Sequence, residues 1–307
     1  MRDCICYNVN VIVSVINGKG ISYLRNEEGK NLSLFKSGGP IDLTVFPKNQ
    51  DELITLLILM KDYPVPYHVL GNGSNTLIKD GGYRGIIIKT DRLNNVSFIE
   101  NKVNVGAGIK LPYLASLCAK KGLMGLERLA GIPCSIGGAI VKNAGCYNSE
   151  IASVVKLVNG VDTKTLKSKT ITKEQIRYSY RSSNGSFDNI ILTSCQLELI
   201  PTDINLNKII KDYAIKRKNS QPSAPSLGSV FLKTSSGIGA GYYIDKAGLK
   251  GTKIGGAEIS NVHANFIVNS GNAKSNDFIS LVDLATAIVK NKFNVTLRKE
   301  IEIIGEN

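Results

Sequence analysis

Apolar residues recur along this chain in two rhythms, one at strand alternation and one at helical spacing. Residues 44–46 read as a short strand. Asn49, with Glu52 three residues on, then resembles a capping box opening an apolar helix over 53–60, which Pro64 ends. Residues 65–70 follow as a strand, then a glycine-rich turn, then the β-branched run 83–89, which together predict an α/β unit. Val103 and Val105 alternate after Lys102, and 111–121 predicts a helix stopped by Gly122. The runs 154–161 and 190–199 alternate or bury fully, with Gly, Asn and Asp between them, and predict two further strands. A linker at 201–207 leads into a basic helix at about 206–218. The chain closes with Ser275 as an expected N-cap, an amphipathic helix over 278–293 and a final strand over 295–304.

A chain of 307 residues exceeds what one hydrophobic core serves, so several packed parts are expected, drawn at 1–95, 96–203 and 204–307. No apolar run approaches the roughly 20 residues needed to cross a bilayer. The apolar stretch 9–16 is short, with no basic lead before it and no small-residue cleavage site after it, so a cytoplasmic protein is expected. The six cysteines show no CxxC spacing and no histidine pairs beside them, which predicts reduced thiols and no metal. A net charge of +13 raises nucleic acid as a partner. The densest basic stretches, 164–173 and 208–218, do not interleave cations with base-stacking aromatics, so none is expected. A positive field serves anionic small molecules equally well.

Two glycine-rich segments carry the candidate chemistry. Leu70-Gly71-Asn72-Gly73-Ser74-Asn75 follows a predicted strand, and its glycines permit the positive φ that aims successive N–H groups at an anion. It lacks the third glycine and the following long helix of a dinucleotide fingerprint, and an ordinary surface turn would use the same residues. The second segment runs Gly131-Ile132-Pro133-Cys134-Ser135-Ile136-Gly137-Gly138-Ala139, with Asn143-Ala144-Gly145 three residues beyond. Glycine at this density costs backbone entropy and points to close approach of a flat or phosphorylated ligand, and the interspersed Ile132, Ile136 and Val141 argue against a flexible loop.

These segments, with Lys36-Ser37-Gly38-Gly39-Pro40 before them, resemble the FAD-binding region of the enolpyruvoyl reductase family of cell-wall synthesis. Tyr180-Arg181-Ser182-Ser183, Gln221-Pro222, Gly228-Ser229-Val230-Phe231, Ala247-Gly248-Leu249-Lys250-Gly251, Ile254-Gly255-Gly256-Ala257 and His263-Ala264-Asn265-Phe266 resemble that family's later blocks, in order, over roughly residues 32–305. The resemblance implies an α+β fold: a two-part FAD-binding region of the vanillyl-alcohol-oxidase type and a C-terminal α+β substrate domain. It implies non-covalent FAD, NADPH as co-substrate and a UDP-sugar enolpyruvyl ether as substrate. By position it implies cofactor contacts from Gly71, Asn72, Gly73, Ser74, Asn75, Gly131, Ile132, Pro133, Ser135, Gly137, Gly138, Ala139, Asn143 and Gly145. It further implies that Arg181 serves the substrate carboxylate, Ser229 donates a proton and Glu300 tunes or relays it. On residues alone, Glu300 is a charge on the polar face of the last strand.

The chain departs from the family at three places. Leu232-Lys233-Thr234-Ser235 follows Phe231 where a polar residue and then a proline are usual, Cys134 stands for a glycine, and Lys142 for a methionine. No insertion between Tyr180 and Leu206 is long enough for the substrate-covering segment of the longer subclass, which places the resemblance with the shorter one. Another FAD-dependent oxidoreductase on the same scaffold, or a non-catalytic relative, are the alternatives. Nothing in the sequence sets an oligomeric state.

Overall fold

The computed structural model describes residues 2–307. The chain divides into two compact units, each assembled from separated stretches: Met1–Arg25, Asp42–Asn72 and Gly85–Ile215 in the first, and Asn26–Ile41, Gly73–Arg84 and Lys216–Asn307 in the second.

The first unit carries two cores. One lies beneath the helices Arg2–Gly18 and Gln50–Asp62, where Val9, Ile12, Ile16, Leu53, Leu56 and Leu57 bury against Leu43, Val45, Ile86 and Ile88. Those sheet residues belong to a four-stranded sheet ordered Ser22–Glu28, Pro40–Phe46, Tyr83–Lys89, Tyr67–Leu70, whose last two strands run parallel. Asn49 is the N-cap of the second helix as the sequence predicts, its Oδ1 accepting from the Glu52 amide at 2.9 Å. The carboxylate of Glu52 returns the bond one residue further out, to the amide of Lys48 at 3.0 Å. The helix Arg2–Gly18 was not predicted, although Val9, Ile12 and Ile16 recur along its buried face.

The other core sits on an antiparallel five-stranded sheet ordered Ser168–Thr172, Val155–Asp162, Ile190–Glu198, Lys102–Gly106, Val96–Ile99. Val103 and Val105, and Cys195 and Leu197, pack with the helices Leu111–Lys120 and Ile136–Val141 as period-two pairs, and Val155 and Val158 join the same core across a bulge between Val155 and Leu157. Burial pushes the Cys118 thiol up to about 12 and the Cys195 thiol higher still, which keeps both protonated.

The second unit packs the helix Ser275–Phe293 on a three-stranded antiparallel sheet, Lys253–Ile254, Ala257–Ile259 and Ile267–Asn269, with Phe278 meeting Phe35 edge to face at 4.8 Å. Ser275 is not its N-cap. Its hydroxyl instead accepts from the Asp80 amide at 2.9 Å, while the Asp80 carboxylate takes the Ser275 amide at 2.9 Å, placing an acid at the helix's positive end. The final strand is shorter than predicted, Glu302–Ile304, and pairs in parallel with Thr76–Ile78. Among the described residues no helix is long and apolar enough to cross a membrane.

Candidate functional site

In the first unit the two glycine-rich segments meet. The Asn72 side chain donates to the Pro133 carbonyl at 2.7 Å, and a Cβ at Gly71 would stand 2.2 Å from Ser135 Oγ. Gly71 is therefore glycine because another part of the protein lies against it. The Asn72 N–H finds no acceptor among the described residues. Lys89, just after three fully buried isoleucines, reaches the Gly71 carbonyl with its ammonium. Gly73, Ser74 and Asn75 belong to the second unit, where Gly73 takes φ +64° with its Cα against the Leu32 carbonyl.

Ser135 caps the short helix Ile136–Val141, its hydroxyl accepting from the Gly138 amide at 3.3 Å. The preceding amides are also taken, Ile136 by the Ile109 carbonyl and Gly137 by that of Ala107, both at 2.8 Å. The first turn thus has no spare donors, and Gly137 answers to close packing on Ala107, where a Cβ would come within 3.1 Å. Gly138 is different. A Cβ there would meet nothing nearer than Ser135 Oγ at 3.4 Å, and its φ is not positive, yet glycine in a helix costs about 1 kcal/mol against alanine. The protein's own packing does not require it, so a close-lying flat or phosphorylated ligand fits this residue as it fits the unclaimed Asn72 amide. Gly131 and Pro133 are exposed, Ile132 half-buried against the core and Ala139 fully buried.

Asn143 is 1% exposed at φ +43°, and its side chain is committed to protein: Nδ2 donates to Glu150 Oε2 at 2.9 Å and to the Ser179 carbonyl at 3.0 Å, and Oδ1 accepts from the Ala152 amide at 3.3 Å. Its amide is also taken, by the Ile140 carbonyl at 3.3 Å, so only its carbonyl, which Arg181 also reaches, keeps capacity for a further bond. Arg181 sits in a two-residue turn closed by paired bonds between Ser179 and Ser182, at the position where φ is +55°. Glycine or asparagine is the ordinary occupant of that position. Its guanidinium donates to the carbonyls of Asn143 and Gly145 and lies 5.0 Å from the Tyr180 ring centre. The positive φ costs an arginine backbone strain that glycine would not carry, and the two carbonyl bonds hold its fork in place.

In the second unit, Asn75, Ser229 and Glu300 are drawn together through backbone. The Glu300 amide donates to the Val230 carbonyl at 2.8 Å, a bridge pairs Phe231 with Lys299, and the Glu300 carbonyl accepts from the Asn75 side chain at 3.1 Å. Val230 lies opposite Glu300 in that register, so Ser229 is one step away. The sequence reading gave Asn265 no role, and the structure gives it a clear one. Buried to 7% exposure, its side chain accepts from the Phe231 amide at 3.0 Å and donates to the Phe231 carbonyl at 2.8 Å, while its own carbonyl takes the Val230 amide at 2.8 Å. His263 Nδ1 accepts from the Asn265 amide at 3.2 Å, and burial lowers its pKa. The unusual segment after Phe231 closes on itself, Thr234 bonding the Ile238 carbonyl through both amide and hydroxyl at 2.9 Å.

Residues 41–172 match a family model described as an FAD binding domain, and 221–304 one described as the C-terminal domain of UDP-N-acetylenolpyruvoylglucosamine reductase. A UDP-N-acetylenolpyruvoylglucosamine reductase of Clostridium tetani is 38% identical, with 92% of each chain covered. One of Geobacillus thermodenitrificans is also 38% identical, over 92% of this chain and 93% of that one. The crystal structure of the reductase from Thermus caldophilus superposes with a TM-score of 0.77 at 31% identity, covering 93% of this chain and 99% of the other.

Proposed function

The chain belongs to the UDP-N-acetylenolpyruvoylglucosamine reductase family, and from that premise we propose how its residues divide the work. It is an FAD-containing, NADPH-dependent oxidoreductase that reduces UDP-N-acetylglucosamine enolpyruvate to UDP-N-acetylmuramate in peptidoglycan precursor synthesis. It works in the cytoplasm, with the UDP-sugar and NADPH as small-molecule partners and no nucleic acid. Residues 1–95 and 96–203 hold the cofactor and 204–307 binds substrate. Bound FAD supplies a hydride acceptor and donor between NADPH and the terminal carbon of the enolpyruvyl group.

Gly71, Asn72, Gly73, Ser74 and Asn75, with the stretch from Gly131 through Ile132, Pro133, Ser135, Gly137, Gly138 and Ala139 to Asn143 and Gly145, hold that cofactor without a covalent bond. The unclaimed Asn72 amide and the glycine at 138 support this assignment. Arg181 pairs with the substrate carboxylate through its guanidinium, stabilising the enolate-like charge that develops there. Ser229 gives its hydroxyl proton to the carbon next to that carboxylate, and Glu300, whose amide bonds the carbonyl of the neighbouring Val230, tunes or relays that proton. The observation that carries the catalytic reading is Arg181 held at φ +55° with its guanidinium fixed, a conformation the turn alone would assign to glycine.

Anaerobic spectra test the reading. NADPH should bleach the flavin and the enolpyruvyl sugar should restore it. Ser229→Ala should leave the bleaching rate nearly intact and slow the recovery by about 100-fold or more, since only the second half needs the proton. Equal slowing of both halves would remove Ser229 from that role.

A further inference from the structure

Lys89 is a charged side chain with 5% exposure, placed immediately after Ile86, Ile87 and Ile88, which are 0% exposed. Desolvation of an ammonium is costly unless its bonds return the energy, and burial does lower this pKa, partly against the attraction of Asp91. Packing alone would be served by a fourth aliphatic residue. The ammonium has two partners: the Asp91 carboxylate at 3.1 Å, which is half-exposed, and the backbone carbonyl of Gly71.

That second bond has a geometric consequence. A trans peptide points its C=O and N–H in opposite directions, so a Gly71 carbonyl held inward by Lys89 turns the Asn72 N–H the other way. The peptide is fixed on both sides of this bond, at Gly71 by the Ser135 side chain pressed against its Cα, and at Asn72 by the bond from its side chain to the Pro133 carbonyl. The Asn72 N–H, so directed, has no acceptor among the described residues.

We propose that Lys89 is a positioning residue for the cofactor, fixing the Gly71–Asn72 peptide so that the Asn72 N–H is presented to a phosphate oxygen of FAD. The inference rests on the assignment of this loop to FAD made above. Lys89 touches no ligand atom itself. A lysine in the last position of a buried strand is thereby explained by the orientation of one donor two strands' ends away in sequence but adjacent in the sheet, where Leu70 pairs with Lys89.

The experiment compares Lys89→Met with the wild-type apoprotein in binding FAD and riboflavin, which shares the ring but has no phosphate, by quenching of flavin fluorescence. Lys89→Met should weaken FAD about tenfold or more, the range for a hydrogen bond to a charged group, and leave riboflavin unchanged. Unchanged FAD affinity, or equal weakening of both flavins, would overturn the role of Lys89 while leaving the FAD assignment standing. A wild-type protein that bound neither flavin would overturn both. Should Lys89→Met fail to fold, the wild-type amide resonance of Asn72 decides: it should move downfield with FAD and not with riboflavin, and a resonance indifferent to FAD would overturn the proposal.

Discussion

Arg181 and His263 show how a single position can separate function from stability. At φ +55° Arg181 carries a strain of about 1 kcal/mol that glycine would not, against which stand its bonds to the carbonyls of Asn143 and Gly145. Arg181→Gly should therefore change the melting temperature little, because relief and loss are of similar size, while kcat/KM for the sugar falls about 100-fold or more. A variant that melts far earlier and loses activity only in proportion would make Arg181 structural. His263 carries a different prediction. Its folded pKa lies below the ordinary 6.5, so the unfolded chain takes up the proton first as pH falls, and this residue's contribution to stability is present above about pH 6.5 and is lost below it. His263→Asn, whose side-chain oxygen can still accept from the Asn265 amide, should flatten the acid limb of stability measured by denaturant unfolding. An unchanged limb would place the titration elsewhere. Neither feature was legible in the sequence: Tyr-Arg-Ser names a residue type but not its φ, and a histidine in a motif does not disclose burial.

Among the elements, the segment carrying Ser229 is set by a buried amide rather than by a sheet. Asn265 supplies three bonds to Val230 and Phe231, and the segment just before the last strand adds one at Glu300. Removing the side chain leaves the Phe231 amide and carbonyl buried without partners, at about 1–3 kcal/mol for each such group. Asn265→Ala should thus lower unfolding stability by about 2–4 kcal/mol in urea titration and slow flavin reoxidation by the sugar more than flavin reduction by NADPH. Equal slowing of the two half-reactions would mean Asn265 does not set Ser229. Helices whose apolar spacing is plain, such as Gln50–Asp62 with its Asn49 cap, were readable because cap and period agree. The helix Arg2–Gly18 was not, since Val9, Val11, Ile12, Val13, Val15 and Ile16 are β-branched and blur the helical preference that burial of one face then imposes. Ser275 misled for a related reason. A serine before an apolar run is an N-cap by default, but here Asp80, 195 positions away, takes that end of the helix. Glycines were legible as a cluster and not one by one, because sequence cannot distinguish Gly137, which makes room for Ala107, from Gly138, which makes room for nothing in the protein.

On the scale of the whole molecule, the sequence reads as three consecutive stretches, whereas the chain forms two compact units from interleaved segments. The mixing arises from early residues such as Phe35 and Leu77, which bury in the core of the late helix Ser275–Phe293, a partnership that no local pattern encodes. Charge, by contrast, is a property the sequence states outright. With 38 basic against 25 acidic side chains, the molecule carries +13, and its ion pairs, such as Lys156 with Glu198 at 2.6 Å, are largely surface contacts that leave this excess in place. The enolpyruvyl sugar and NADPH are both anions, so the field of the protein should raise their rates of capture. That field reaches about 30 Å at 0.01 M salt and only about 3 Å at 1 M. Between these limits kcat/KM for each substrate should fall steadily, with the more highly charged of the two falling more steeply. The kcat measured at saturation should hold, because the bonds proposed for Arg181 and Ser229 act at contact distance, where ions do not intervene. A flat kcat/KM against ionic strength would show that the surplus positive charge lies where approaching substrate does not feel it, and a parallel fall in kcat would show instead that salt reaches the reacting groups.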